Sequence, residues 1–213
     1  MKKILITGAA GFIGSHVAEK IFKKFKKSTL VLYDKVTYAA NIKYLKSIIN
    51  SKNVKFVKSD ILDYKCLEKN LKNAEIAINV AAESHVDNSF GNSLLFTKTN
   101  ALGTHSFLEA CRKQKVKKII HVSTDEVYGE NTNGIFEEED QLNPTNPYAA
   151  AKAAAEMLVK SYISSFNLPV ITVRANNIYG IRQYPEKIIP RCTLRAINGL
   201  PLLLHGDGTN LRH

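Results

Sequence analysis

The run Ser123-Thr124-Asp125-Glu126-Val127-Tyr128-Gly129 sets two carboxylates side by side, and Tyr148 and Lys152 follow four residues apart. On a helix that spacing puts Tyr and Lys on one face, where an ammonium lowers the phenol pKa and lets a tyrosinate act as base near neutral pH. One such base suffices to oxidise an alcohol. Loss of water from the oxidised product needs more: an ionised carboxylate to accept a proton and a protonated neighbour to donate one. The residue types therefore point to dehydration coupled to oxidation and reduction. Alone, Asp-Glu is also an ordinary polar turn after a strand, and Tyr with Lys an ordinary helix surface, so the reading rests on what accompanies them.

What accompanies them is a site for a redox cofactor. Thr7-Gly8-Ala9-Ala10-Gly11-Phe12-Ile13-Gly14 follows a strand-like run and opens a helix-like one. Gly8 permits the tight turn, Gly11 lets the backbone approach a pyrophosphate, and Gly14 allows close helix packing. Phe12 and Ile13 begin the helix whose N-terminus meets the negative charge. Asp34, at the end of the second strand, suits the adenosine ribose hydroxyls and opposes a 2'-phosphate, which favours NAD over NADP. Lys35 is the counterweight, since a cation tolerates that phosphate. Asp60 and Ile61 end the third strand, either against adenine or with Asp60 merely capping the next helix.

The elements that must position these groups alternate. Strands are predicted at 4–7, 30–33, 54–57, 76–80, 119–122 and 170–173, and helices at 12–25, 41–49, 64–71, 94–112 and 148–166. Such alternation gives an α/β fold, a doubly wound parallel sheet with helices on both faces. Its carboxyl edge gathers Gly8, Asp34, Asp60, Ala81 and Thr124. The polar stretch from Gly129 to Pro147 reads as a loop or flap near the site, and its acidic run, Glu137 to Asp140, as a solvated face. Residues 1–178 form the nucleotide-binding domain with the catalytic groups. From 179 a smaller substrate lobe begins, and the sequence reads as stopping inside it.

Composition narrows the classes. A chain of 213 residues, 45% hydrophobic, supports one sizeable core. The net charge of +11 invites a polyanion, but 24 lysines against 6 arginines are dispersed, and the cluster Lys20, Lys23, Lys24, Lys26, Lys27 ends a helix, where cations complement the dipole. No nucleic-acid partner is expected. Apolar runs such as 76–82 are too short to span a membrane, and no signal-like segment opens the chain, so a cytoplasmic protein without membrane attachment is expected. Cys66, Cys111 and Cys192 lie far apart and read as reduced thiols; His85, His105 and His121 lack ligand spacing, so no metal is expected.

On these motifs the chain resembles the extended short-chain dehydrogenase/reductases, which imply a Rossmann-type sheet, and within them the nucleotide-diphosphate-glucose 4,6-dehydratases acting on dTDP-glucose or UDP-glucose. The matching segments are 7–16, 34–38, 81–87, Thr99-Asn100, 123–129, 147–152, Asn176-Asn177 and 185–187. The resemblance implies that Tyr148, Lys152 and Thr124 serve oxidation at C4 of the sugar, with Glu126 as base at C5 and Asp125 as acid at the C6 hydroxyl. It implies NAD contacts from Thr37, Ala81, Ala82, Thr99, Tyr148, Lys152 and Asn177. Substrate contacts would come from Ser84, Thr124, Asn176, Lys187 and Arg212. The helices 94–112 and 148–166 resemble those that pair in homodimers of the family. The runs Gly199-Leu200-Pro201 and His205-Gly206-Asp207-Gly208 lean towards the UDP-glucose enzymes. Two readings stand beside this one: a UDP-sugar 4-epimerase, which has no use for the acid pair, and a non-catalytic NAD-binding regulator, against which the intact Thr124, Tyr148 and Lys152 count.

Overall fold

The computed structural model describes residues 2–130, 134–204 and 207–208. Six strands, β1 (Lys3–Thr7), β2 (Thr29–Asp34), β3 (Val54–Lys58), β4 (Ile76–Asn79), β5 (Lys118–Thr124) and β6 (Val170–Ala175), form one sheet in the order β3-β2-β1-β4-β5-β6. Every pairing is parallel. The inner strands β1 and β2 are buried almost end to end because helices cover both faces. One face carries Leu5, Val31, Leu67, Phe107 and Val159 against α2 (Tyr64–Leu71), α5 (Gly103–Lys113) and α6 (Pro147–Phe166). The other carries Ile4, Ile6, Leu30, Leu32 and Ile78 against α1 (Phe12–Lys24) and the segment around Leu45. Strand order reverses between β1 and β4, which opens a crevice at their carboxyl ends.

All six predicted strands form, and the helices at 12–25, 64–71 and 148–166 match within a residue or two. The predicted helix at 41–49 does not. Only a 3-10 turn, Ile42–Leu45, forms there, capped by the Asn41 side chain on the Lys43 amide at 2.9 Å. Its two buried anchors, Leu45 and Ile48, lie three residues apart, a spacing that a 3-10 turn and an α-helix both accommodate, and two anchors are too few to hold a longer helix on the sheet. The predicted helix at 94–112 is a composite of α4 (Ser93–Phe96), a π-helical turn (Thr97–Leu102) and α5, and a short α3 (Val86–Gly91) precedes it. At Gly103 a Cβ would lie 2.5 Å from the Ile61 methyl, so the absent side chain lets α5 close on that loop.

Helix α6 starts where Asn146 accepts the Ala149 amide through its side chain and Pro147 occupies the first turn. It ends at Asn167 in the left-handed region, φ +52°. Its far half is pinned to β6 by Arg174, which pairs with Glu156 at 2.7 Å with Glu156 almost wholly buried. Arg174 also donates to the Tyr128 hydroxyl and the Glu138 carbonyl and stacks over the Tyr128 ring. The predicted flap is thus anchored: Phe136 and Leu142 pack on Val127, Tyr128 and Ala153, and the Asn143 amide donates to the Val127 carbonyl at 3.0 Å. After β6 the chain leaves the sheet and forms α7 (Ile188–Ile197), which buries no residue among those described.

Removing one member of a buried ion pair strands the other, so Glu156→Ala should lower the unfolding free energy by about 3–5 kcal/mol in urea titrations, with Glu156→Gln milder because it keeps an acceptor.

Candidate active site

The switch in strand order sets the geometry at its floor. Thr7, the last residue of β1, donates to Asn79 Oδ1 at 2.6 Å and accepts the Val80 and Ala81 amides at 3.2 and 3.3 Å. Asn79 in turn donates to Thr104 at 3.2 Å and meets His121 Nδ1 at 3.2 Å. These buried side chains lock the ends of β1, β4 and β5 together. Gly8 follows at φ +64°, where a Cβ would sit 2.7 Å from the Ala81 amide nitrogen. A Cβ at Gly14 would run into the Gly8 carbonyl. The first helix can approach this closely only because both positions lack side chains. Its N-cap, Gly11, makes no side-chain cap and its first turn holds no acid, so its free amides face the crevice uncompensated. This cradle fits a pyrophosphate.

At the end of β2 the buried Asp34 accepts the Ala10 amide at 2.8 Å and the Val36 amide at 2.6 Å, one on each oxygen. Burial raises its pKa, and the amides of Val36, Ala10 and Gly11 oppose that rise. A carboxylate has about four acceptor positions, so acceptor capacity remains for a ribose hydroxyl. Lys35 pairs with Asp60 at 2.7 Å. The cation that stood as the argument for a 2'-phosphate is therefore held by a neighbouring acid. Asp60 also accepts the Leu62 amide at 3.0 Å. Burial pushes its carboxyl up, but that amide and Lys35 together bring it below its ordinary value.

The catalytic candidates converge from β5 and α6. The Thr124 hydroxyl caps the 3-10 turn Asp125–Tyr128 by accepting the Glu126 amide at 3.3 Å and also contacts Asp125 Oδ1 at 3.1 Å. Gly129 ends that turn at φ +85°, where a side chain would collide with the Asn143 carbonyl. Lys152 is fully buried and its ammonium donates to the Val122 carbonyl at 2.6 Å. Burial pulls its pKa to about 8, against the opposing charge of Glu156. Tyr148 runs counter to expectation. Burial pushes its phenol well above the ordinary value, Glu126 and Asp125 add to that, and only the hydrogen bond with Thr124 lowers it. The ammonium one turn along the helix does not outweigh two carboxylates and the loss of water.

One cleft of about 860 Å³ joins these parts. Its lining includes Gly8, Gly11, Phe12, Ile13, Gly14, Asp34, Lys35 and Thr37, then Asp60, Ile61, Ala81, Ala82, Ser84 and Thr99. It continues through Thr124, Asp125, Glu126, Tyr148, Lys152, Asn176, Asn177 and Lys187. Arg212 lies outside the described residues, as do His205 and Gly206. Ser84 and Lys187 meet directly: the ammonium donates to the Ser84 carbonyl at 2.7 Å. The segment after β6 also reaches back over α1, where Arg182 pairs with Glu19 at 2.9 Å.

The histidines take supporting places: His121 is buried in β5, His85 caps α3, and His105 packs edge-on against Tyr162. Burial, reinforced by the Lys152 charge, holds His121 far below its usual pKa. Three contributors escaped the sequence reading. Asn100, buried in the π-helical turn, holds the Glu83 amide and carbonyl, each at 2.9 Å, and so shapes the loop after β4. Arg174 steadies the 3-10 turn from behind. Asn146 donates to Glu126 at 3.3 Å, and only its place before a proline at a helix start hinted at it.

Comparison with known proteins supplies context. The family model described as GDP-mannose 4,6 dehydratase matches residues 5–213. The chain is 50% identical to a dTDP-D-glucose 4,6-dehydratase of Dictyostelium discoideum, across 100% of this chain and 52% of that protein. It is 52% identical to a trifunctional UDP-glucose 4,6-dehydratase, 3,5-epimerase and reductase of Arabidopsis thaliana, across 99% of this chain and 33% of that protein. The chain therefore spans about half the length of the first relative and a third of the second. Among solved structures, a dTDP-glucose 4,6-dehydratase from Streptomyces venezuelae with NAD bound superposes at a TM-score of 0.95 with 37% identity, covering 99% of this chain and 66% of that one. A UDP-glucuronic acid 4-epimerase from Bacillus cereus superposes at 0.91 with 32% identity, covering 97% and 67%.

The buried ammonium makes stability depend on pH. Lys152 titrates at about 8 in the folded chain against an ordinary 10.5, so between those values the unfolded chain binds the extra proton and stability rises with pH. Below about 8 the penalty is complete. Lys152→Met should therefore be more stable than the parent near neutral pH, by about 3 kcal/mol on linkage alone. The difference should narrow as the pH approaches 10.5, as chemical denaturation at a series of pH values will read.

Proposed function

This chain belongs to the GDP-mannose 4,6 dehydratase family, and we propose that it carries the catalytic half of an NAD-dependent 4,6-dehydratase acting on a nucleotide-diphosphate glucose. The observation that carries this reading is the convergence of Asp125, Glu126, Tyr148 and Lys152 on one cleft that also holds the glycine cradle and Asp34. An epimerase, which returns hydride to C4 and expels no water, has no task for two adjacent carboxyl groups. Bound NAD would supply the hydride acceptor for C4, the hydride donor for C6 and a fixed positive charge.

The cradle of Gly8, Gly11 and Gly14 would hold the pyrophosphate, with Asp34 on the adenosine ribose. Asp34 and the pairing of Lys35 with Asp60 both support NAD over NADP. Tyr148 takes the O4 proton as C4 is oxidised, with Thr124 bonded to the reacting oxygen. Its raised pKa makes the supporting cations necessary, and Lys152, with a pKa of about 8, is mostly charged near neutral pH. The 4-ketone acidifies the C5 proton. Glu126 removes that proton, the C5–C6 double bond forms, and the C6–O bond breaks as protonated Asp125 converts the hydroxyl to water. Once C6 is reduced, Glu126, its proton exchanged with solvent in the meantime, protonates C5. The proton Tyr148 took from O4 replaces, through solvent, the one Asp125 gave up.

Ser84, Asn176 and Lys187 would hold sugar and diphosphate. Arg212 takes a diphosphate role in the same proposal. UDP-glucose is the substrate we favour over dTDP-glucose, supported by the Gly199-Leu200-Pro201 run. Exposed apolar side chains on the two long helical segments, Leu94, Leu102, Met157 and Ile163, support a homodimer. Among the described residues no helix is long and apolar enough to cross a membrane.

The test is incubation of the intact protein with each nucleotide-glucose in deuterated water. A 4-keto-6-deoxy sugar carrying deuterium at C5 is expected. No keto sugar and no exchange from either substrate would sink the proposal. Glu126→Gln and Asp125→Asn should each retain NAD affinity while dehydration falls by about a hundredfold.

A further inference from the structure

Glu126 and the helix bearing Tyr148 and Lys152 are joined by one side chain. Pro147 at the first position of α6 has no amide hydrogen, and Asn146 before it must supply the cap, so its Oδ1 accepts the Ala149 amide at 2.8 Å. That fixes the orientation of the carboxamide, and the other end, Nδ2, then donates to Glu126 Oε2 at 3.3 Å. Aspartate, serine and threonine cap helices about as well, but aspartate has no donor, and a hydroxyl must accept and donate through one and the same oxygen. The amide divides the two tasks between separate atoms, Oδ1 for the helix and Nδ2 for the carboxylate.

We propose that Asn146 is a positioning residue for the elimination step: its amide hydrogen fixes the place of the Glu126 carboxyl and holds it in register with α6. The inference rests on the dehydratase reading above. Within it, the two carboxyls are set apart by what each meets. Asp125 accepts from the Thr124 hydroxyl, its chain neighbour, which also serves the sugar oxygen, whereas Glu126 accepts from an amide twenty residues along the chain. A base at C5 must be held within reach of the proton it takes. Asn146 also makes the geometry of oxidation and elimination depend on one point, because α6 begins at the residue that holds Glu126.

The test exploits the separability of the two ends. Asn146→Asp keeps the cap and replaces the donor by a second negative charge against Glu126. Asn146→Ser keeps the cap and removes the Nδ2 donor, leaving only the O–H on the capping oxygen itself. For both, melting temperature, NAD affinity by calorimetry, and substrate-dependent cofactor reduction in a single turnover are expected to stay within about twofold or a few degrees of the parent. Deuterium exchange at C5 is expected to fall at least about tenfold, more for Asn146→Asp than for Asn146→Ser. Asn146→Ala should lose stability as well, by an amount the two capped variants do not share. Unchanged C5 exchange in Asn146→Asp overturns the proposal, and so does an equal fall in cofactor reduction and exchange, which marks a purely structural residue. A parent protein that shows no exchange with either nucleotide-glucose overturns the dehydratase reading itself, and the inference with it.

Discussion

Burying a lysine ammonium beneath a ligand cleft is costly, and the neighbourhood of β5 and α6 is organised around making that burial possible. Lys152 Nζ lies 2.6 Å from the Val122 carbonyl, close enough that α6 must lie flat against β5. The helix achieves this with small residues beside Lys152: Ala149 and Ala155, three residues before and after it, are buried, and bulkier side chains on that face would lift the ammonium from its acceptor. Both parts of the helix are then tied down, the start by Asn146 and the distal part by Glu156 on Arg174. Glu156 serves twice, since its charge also opposes the fall in the Lys152 pKa. The same contacts hold the 3-10 turn, because Arg174 stacks on Tyr128 and Asn146 reaches Glu126.

The charge of the whole chain misleads about the charge of the cleft. Against a net +11 overall, the cleft is lined by seven carboxylates, Asp34, Asp60, Glu83, Asp87, Asp125, Glu126 and Glu186, and three lysines, Lys35, Lys152 and Lys187. All three lysines are already engaged, Lys35 with Asp60, and Lys152 and Lys187 with backbone carbonyls. A dianionic ligand would therefore meet a wall with an acidic excess. Its attraction would come from the amides at the N-terminus of α1 and from the segment after β6, not from a diffuse basic field. The lysine surplus lies elsewhere, much of it around the C-terminal end of α1.

The legible parts of the fold were those where one hydrophobic period dominates. β1, β2 and α6 read cleanly because continuous burial or a long, evenly patterned helix leaves few alternatives. Ile42–Leu45 did not, since two apolar anchors three residues apart carry no signal that separates a 3-10 turn from a helix. The π-helical turn was equally hidden: Thr97–Leu102 carries no local pattern that separates it from the α-helix around it, and the bonds of its Asn100 to Glu83 are long-range. Among site residues, the glycines and Asp34 were legible because each answers a backbone requirement that few residue types meet. The pKa of Tyr148 was not, because it depends on Asp125 and Glu126 lying close by, and sequence spacing reported only the lysine.

Asn146 marks the boundary between these two kinds of legibility. Its role as a cap is local, set by Pro147 and the amide three residues on, and the dipeptide Asn-Pro before an alanine-rich run announces it. Its contact with Glu126 is not local at all. Twenty residues separate them, and the distance closes only because Gly129 turns the chain at φ +85° and Asn143 returns it to Val127. Tyr128 stacked on Phe136 and the Arg174 hold on Glu138 then keep the loop packed down. A polar stretch that reads as a loop or flap near the site thus performs a metric task, bringing the start of α6 back to the end of β5 at hydrogen-bond distance.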